Sequence, residues 1–524
     1  MGLGRVMRVG SYLAVLGGIA LLAIGPADGA SPGHRPAGIV PRFDRVHTVS
    51  ATASCDGPSA PECGNLAYHG GPVMHSSTVY TIFWLPTGYT SWDGQPAYSA
   101  NYQSLIARFF QDLEADSGRL SKVYGAATQY CDGAAMFATS CTGVPAGNHI
   151  TTNVTYGGSW TDTQAFPASG CTDPTGNDAP CLTDAQLRSE IQHAISTNGL
   201  GWTASATHIF FVYTPRGVSS CFDSFGTCSY SVFCAYHSNS GNGSNAVIYA
   251  NMPYPVYTGF DFCEDEGNPQ HPNGDAPADI VLSTTSHEHN EAITEPEVDP
   301  EFTGWYDDND FVTGAENADK CSYWYGKSSG PNGAKHNQTI NGHDYYLQLE
   351  WSNADRNCVA SVPGPSVTKL SPSHGVVGQA VTVKGKNLTD VTAVTFNGTP
   401  ATSFVVNGKK LTAVPAPGTT TGPVQVTTSL AVADGPTFTV DPSPAPQVKS
   451  FKPAGTTVGG TVTLMGSNLW GTSAVKVNGV DAQSFTVTDA KKLTFVVAAG
   501  TTSGTVLVTT PGGTAVSTTP LTVG

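Results

Sequence analysis

The sequence predicts a multidomain protein: a disulfide-rich α/β or α+β domain first, then two small β-sandwiches. Three observations predict it. Strand-like and helix-like stretches alternate up to about residue 295. All 12 Cys lie before residue 364. Beyond Pro363-Gly364-Pro365 the chain has no Cys, Arg or Glu, and alternating Val/Thr/Phe runs broken by Asn-Gly and Gly-Thr turns occur twice over.

Taken in order, residues 1–30 are expected to be a signal peptide. Arg5 and Arg8 supply the positive end, and the apolar run from Tyr12 to Ile24 is too short to span a bilayer. No second long apolar run follows, so no integral membrane segment is expected after cleavage, and the chain is expected to be secreted, extracellular or at the cell surface. Residues 31–60, rich in Pro, Gly, Ala and Ser, are expected to be a flexible leader or propeptide. The first domain is expected over 61–362. Its strands are read at Ser77 to Leu85, His208 to Tyr213 and Ala246 to Asn251. A helix is expected over Ser99 to Leu113, with Leu105, Ile106, Phe109, Phe110 and Leu113 on its buried face. Thr183-Asp184-Ala185-Gln186 has the form of a capping box, opening a helix with Leu187, Ile191 and Ile195 inward. Asp279 is read as the cap of a third helix running to about Thr294, while His271 and Asp275 fall in a Pro/Gly loop before it.

Charge narrows the partners. The net charge is −16, and only 12% of residues are charged. That argues against nucleic acid as a partner and against bulk attraction to acidic membranes. An even number of cysteines in an exported chain implies disulfides. Spacing suggests Cys55–Cys63, Cys131–Cys141 and Cys171–Cys181 as local loops, and Cys321 is paired with Cys358.

The chemistry concentrates in Ser286-His287-Glu288-His289-Asn290-Glu291. Positions i and i+4 of a helix share a face, so His287 and Glu291 point together with Glu288 beside them. This is the H-E-x-x-H metalloprotease pattern with Glu in place of the second His. In that scheme His287 and Glu291 bind the metal and Glu288 is the general base for a metal-bound water. Glu316 is taken as the third ligand. Asp319, His289 and Asp307 are the alternatives to it, or the groups that hold a ligand in place. Zinc is the expected ion. Calcium, alone or beside zinc, is the alternative, because Glu295, Glu297, Asp299, Asp307, Asp308 and Asp310 follow the helix.

Several stretches resemble known families. SPSHGVVGQAVTVKGKNL…AVTFNG and KPAGTTVGGTVTLMGSNL…AVKVNG resemble IPT/TIG domains, which implies two immunoglobulin-like sandwiches over 365–440 and 446–523, serving as spacer or adhesion modules. The S-H-E-x-x-E-A-I-T-E-P helix, with Gly304-Trp305-Tyr306-Asp307 and Glu316-Asn317-Ala318-Asp319-Lys320-Cys321, is similar to secreted bacterial domains regarded as zinc metallopeptidases. Tyr68-His69-Gly70-Gly71-Pro72-Val73 and the strand after it are distantly similar to the plant phosphate-induced, exordium-type extracellular proteins. The expectation is a secreted metal-dependent hydrolase, a zinc metallopeptidase acting on extracellular protein or peptide. The alternative is a non-catalytic extracellular adhesion or carbohydrate-binding protein with a structural calcium site and polysaccharide as its partner.

Overall fold

The computed structural model describes residues 37–41, 64–174, 180–222, 226–255, 263–264, 268–298, 303–307, 316–388, 391–407, 410–428 and 431–524. The signal peptide, most of the leader and the Cys55–Cys63 pairing lie outside the described residues.

A six-stranded sheet organises the first domain. Its strands are β1 (Ala37–Pro41), β2 (Ser77–Trp84), β3 (Val154–Asp162), β4 (His208–Tyr213), β5 (Phe233–Ser240) and β6 (Val247–Met252), in the order β1-β5-β6-β4-β2-β3. β6, β4, β2 and β3 run parallel, while β5 is antiparallel to both β6 and β1. The inner parallel strands β2, β4 and β6 are covered on both faces, which explains their apolar runs, whereas the edge strand β3 is partly exposed. Side chains alternate along β2: Val79 and Phe83 enter one core, and Tyr80, Ile82 and Trp84 enter the other.

Three helices complete the layers: α1 (Tyr102–Ala115), α2 (Asp184–Thr197) and α3 (Ala276–Thr294). Leu105, Ile106, Phe109, Phe110 and Leu113 of α1 are all buried, as their periodicity requires. Helix α2 has the expected reciprocal cap, with Thr183 Oγ1 accepting from Gln186 N and Gln186 Oε1 accepting from Thr183 N. It covers the face opposite α1 and α3 through Leu187 and Ile191.

The start of α3 differs from the sequence reading. Asp275, not Asp279, is the N-cap, its carboxylate accepting from Ala278 N. Pro277 lies within the first turn, where a missing N–H costs nothing, so the proline that suggested a loop is compatible with the helix. Asp279 instead accepts from the backbone and side chain of Asn273.

Five disulfides are present among the described residues: Cys131–Cys141, Cys171–Cys181, Cys221–Cys228, Cys234–Cys263 and Cys321–Cys358. This usage matches an oxidising compartment. Among the described residues no helix is long and apolar enough to cross a membrane.

After residue 365 the described residues form strands and their connecting turns. One sheet of the first sandwich joins Ser366–Ser371, Val381–Lys386, Lys410–Val414 and Ser403–Asn407, and the facing sheet includes Val391–Phe396, Gly422–Thr428 and Val432–Val440. The same order recurs in Gln447–Lys452, Thr461–Ser467, Lys492–Val496 and Ser484–Asp489. Asn397-Gly398 and Asn478-Gly479 are two-residue hairpin turns, with Phe396 paired to Thr399 and Val477 to Val480. Their φ values, +48° and +78° in one copy and +46° and +85° in the other, are the reason this dipeptide stands at both places. The first sandwich is tied to the α/β domain by Val432 N donating to Gly118 O and by an Arg119–Asp434 ion pair.

Phe110 packs against Phe109, Tyr156, Phe211 and His289 in the core between α1 and the sheet. Phe110→Ala is expected to cost the α/β domain about 3–5 kcal/mol. The unfolding midpoint followed by near-UV circular dichroism measures this.

Candidate metal centre

Helix α3 is unusual in what it buries. From Ala278 to Thr294 every side chain is out of solvent, although ten of these residues are Ser, Thr, His, Glu or Asn from Ser283 onwards. Buried polar groups need partners. Several find them on the helix itself: Asn290 Nδ2 donates to Ser286 O, and Thr294 Oγ1 to Glu291 O. The ionisable ones face outward to neighbouring segments.

His287 and Glu291 share a face as expected, with His287 Nε2 2.9 Å from Glu291 Oε1. Asp319 completes this group: its Oδ1 is 3.4 Å from His287 Nε2, and its backbone N–H donates to Glu291 Oε1. His287 Nδ1 lies 2.8 Å from the Gln348 amide oxygen, to which it donates. The imidazole is thereby oriented with Nε2 toward the acids.

The sequence reading missed His237 on β5. Its Nδ1 is 3.3 Å from Glu288 Oε2 and 3.6 Å from Glu291 Oε2. Its Nε2 donates to the backbone carbonyl of Glu295 at 3.2 Å and lies 3.5 Å from Glu316 Oε1. A signal did exist. In Ala235-Tyr236-His237-Ser238-Asn239, positions 237 and 239 share a face, and Asn239 Oδ1 accepts from Val298 N just beyond α3. Glu350, on the short strand Glu350–Ser352, was missed too. It is fully buried, and its charge bears on His287, Glu291 and Asp319.

Roles therefore differ from the expected set. Glu316 stands beside His237 and Glu295 rather than His287, and Asp319 takes the position assigned to it. His289, one residue further round the helix, points to the other side. Its Nε2 meets Ser77 Oγ and its Nδ1 meets Tyr124 OH, among Phe110 and Phe211. Asp307 pairs with Lys320 Nζ at 2.5 Å. The acids proposed for calcium do not converge: Glu297 Oε1 accepts from Gly243 N, Asp307 holds Lys320, and Glu295 faces Glu316. Asp299, Asp308 and Asp310 lie outside the described residues.

Six acids, Glu288, Glu291, Glu295, Glu316, Asp319 and Glu350, are between 0% and 3% exposed and face two imidazoles. Burial dominates their protonation. It pushes Glu288 and Glu295 up to about 7, and Glu316, Asp319 and Glu350 well above the usual carboxylate range. Burial opposes charge on Glu291 as well, but His287 and His237 beside it hold it down to about 2. Burial disfavours imidazolium too, yet Glu288 and Glu291 raise His237 to about 10, and Glu291 and Asp319 raise His287 well above its ordinary value. His289, buried without an acid, falls to about 3. Neither oxygen of Glu316 or Glu350, nor Glu288 Oε1, Glu291 Oε2 or Asp319 Oδ1, has a well-formed hydrogen bond. Imidazole nitrogen beside unsatisfied carboxylate oxygen is a donor set for a divalent cation of the zinc type, more than for calcium.

Comparison with known proteins bears mainly on the scaffold. Residues 365–440 match the IPT/TIG domain. This is the first of the two copies expected from the sequence. The expected distant likeness to exordium-type proteins is also found: EXORDIUM-like 5 of Arabidopsis thaliana is 23% identical over 289 residues, 54% of this chain and 71% of that protein. Among solved structures, SGBP-B from a xyloglucan utilization locus of Bacteroides uniformis is 22% identical, with a TM-score of 0.17, over 30% of this chain and 50% of that one. The surface glycan-binding protein PbSGBP-B of Prevotella bryantii is 18% identical, with a TM-score of 0.16, over 28% and 38%. The chain thus spans half or less of these two structures. These findings give the peptidase expectation no support.

The pKa shifts fix a pH dependence for the chelated protein. Raised pKa values mean that the folded state holds more protons than the unfolded one, so stability is lost as pH rises through those values. Glu288, Glu295, His237 and His287 all act this way above pH 6.5, while the opposing shifts of His289 and Glu291 act only below it. The Tm in chelator is expected to fall between pH 6.5 and 8.5, and saturating Zn²⁺ is expected to reduce that fall. Calorimetry with and without Zn²⁺ measures both.

Proposed function

We propose that the chain is a non-catalytic extracellular binding protein with polysaccharide as its partner class, and that its His/Glu centre is a structural metal site. One contrast supports this reading: the ionisable groups of the centre are sealed from solvent, while aromatic side chains of the same domain stand out in it. Glu288, the expected base, is 0% exposed and directed at His237. A hydrolytic centre keeps a coordination position open to water and substrate.

One exposed aromatic is firmly positioned. The Cys131–Cys141 loop carries Met136 and Phe137, which are 59% and 63% exposed. Phe137 is held at φ +62°, a conformation a bulky residue seldom adopts, with its N–H donating to Tyr68 O. Its ring meets His69 edge-on, and His69 stacks on Tyr306 with ring centroids 3.7 Å apart. An aromatic ring in water, positioned by a closed loop, suits stacking against the C–H face of a sugar ring.

A second reading, the metal-dependent hydrolase, is favoured by one observation. Glu288, held at about 7, lies in the range a general base needs at neutral pH.

The full chain is expected to be retained on at least one of insoluble cellulose, xylan and mixed-linkage glucan. Phe137→Ala is expected to weaken retention about tenfold, equivalent to about 1.4 kcal/mol of lost contact. Casein is expected to stay intact under the same conditions. Casein hydrolysis that disappears in Glu288→Gln would establish the second reading instead.

A further inference from the structure

We propose that the Glu291 carboxylate bridges two cation positions, one completed by His287 and Asp319, the other by His237 and Glu288. The proposal rests on reading this centre as a metal site and goes beyond it in the number of ions.

The first argument is spacing. Two ligands at about 2.0–2.1 Å from a tetrahedral ion stand about 3.4 Å apart. His287 Nε2 to Asp319 Oδ1 is 3.4 Å, and His237 Nδ1 is 3.3 Å from Glu288 Oε2 and 3.6 Å from Glu291 Oε2. Within each group the candidate ligand atoms of His287, Glu291 and Asp319, or of His237, Glu288 and Glu291, lie within 4.8 Å of one another. The two groups use different oxygens of Glu291: Oε1 faces His287 and Oε2 faces His237.

The second argument is the orientation of the imidazoles. Each donates one ring N–H to a fixed carbonyl oxygen, His287 to Gln348 Oε1 and His237 to Glu295 O, the latter nitrogen also lying 3.5 Å from Glu316 Oε1. This is how a metal-binding histidine is oriented. The remaining nitrogens face different oxygens of Glu291, Nε2 of His287 at 2.9 Å from Oε1 and Nδ1 of His237 at 3.6 Å from Oε2. Two imidazoles arranged in this way serve two ions better than one.

The third argument is satisfaction. His287 Nε2, Asp319 Oδ1, Glu291 Oε2 and Glu288 Oε1 are buried without a well-formed hydrogen bond, and a cation at each of the two positions gives these atoms a partner. Loading displaces the protons held by the imidazoles and by the carboxylic acids, and these leave to solvent. Carboxylate-bridged ions in known two-metal sites are about 3.5–4 Å apart. In this arrangement Glu288 is a ligand, which removes it from service as a free base.

The test is stoichiometry on the full disulfide-bonded chain, equilibrated with Zn²⁺, washed with a weak chelator and measured by elemental mass spectrometry. Two equivalents per chain are expected, falling to one in His237→Ala and one in His287→Ala. One equivalent in the unaltered chain overturns the two-ion proposal and leaves the metal reading standing; none overturns both. Should either variant fail to fold, Mn²⁺ loaded into the unaltered chain decides the bridge. An exchange-coupled electron paramagnetic resonance spectrum is expected, and a spectrum of isolated bound Mn²⁺ overturns it.

Discussion

Six carboxylic side chains and two imidazoles share a space that water does not enter, and the α/β domain is arranged around that fact. Apolar packing alone would not favour it, because each ionised group loses its hydration and like charges repel at short range. Compensation comes from several directions. Strand β5 sends in His237, α3 supplies His287, the turn before Cys321 offers a backbone N–H to Glu291, and Gln348 and the Glu295 carbonyl fix the two rings. Protons or cations must supply the rest.

Much of this was legible in the sequence, for physical reasons. Strands covered on both faces need continuous apolar runs, and β2 and β4 have them. The amphipathic face of α1 and the capping box of α2 could be read from single residues, because each is a local pattern. The i, i+4 placement of His287 and Glu291 follows from helix geometry alone. His237 and Glu350 were not legible. Each comes from a strand more than fifty residues from the helix partner it faces, and neither carries a local motif. The exchange of Glu316 and Asp319 was hidden as well. Both lie on one tight turn, and only the tertiary placement of that turn decides which faces His287. Asp275 was read as part of a Pro/Gly loop, although the first turn of the helix accepts Pro277.

The two sandwiches contrast with this domain in every chemical respect. They contain no cysteine or glutamate, and their cores are built from Val, Leu and Phe on alternate strand positions. Their stability owes nothing to buried charge. The matched module at 365–440 contacts the α/β domain through Gly118 and Arg119 at the end of α1, on the segment that precedes Lys122. The buried ionisable groups are thus concentrated in the α/β domain.

The Cys321–Cys358 disulfide gives this arrangement a temporal order. It ties the turn bearing Asp319 to the strand Asn357–Val359, which pairs in register with the strand bearing Glu350. Two of the segments that present acids to the helix are therefore fastened by a bond that needs an oxidant. With that bond reduced, the turn bearing Asp319 loses its covalent tie to the strand pair, so on the proposed metal reading ion capture follows disulfide formation.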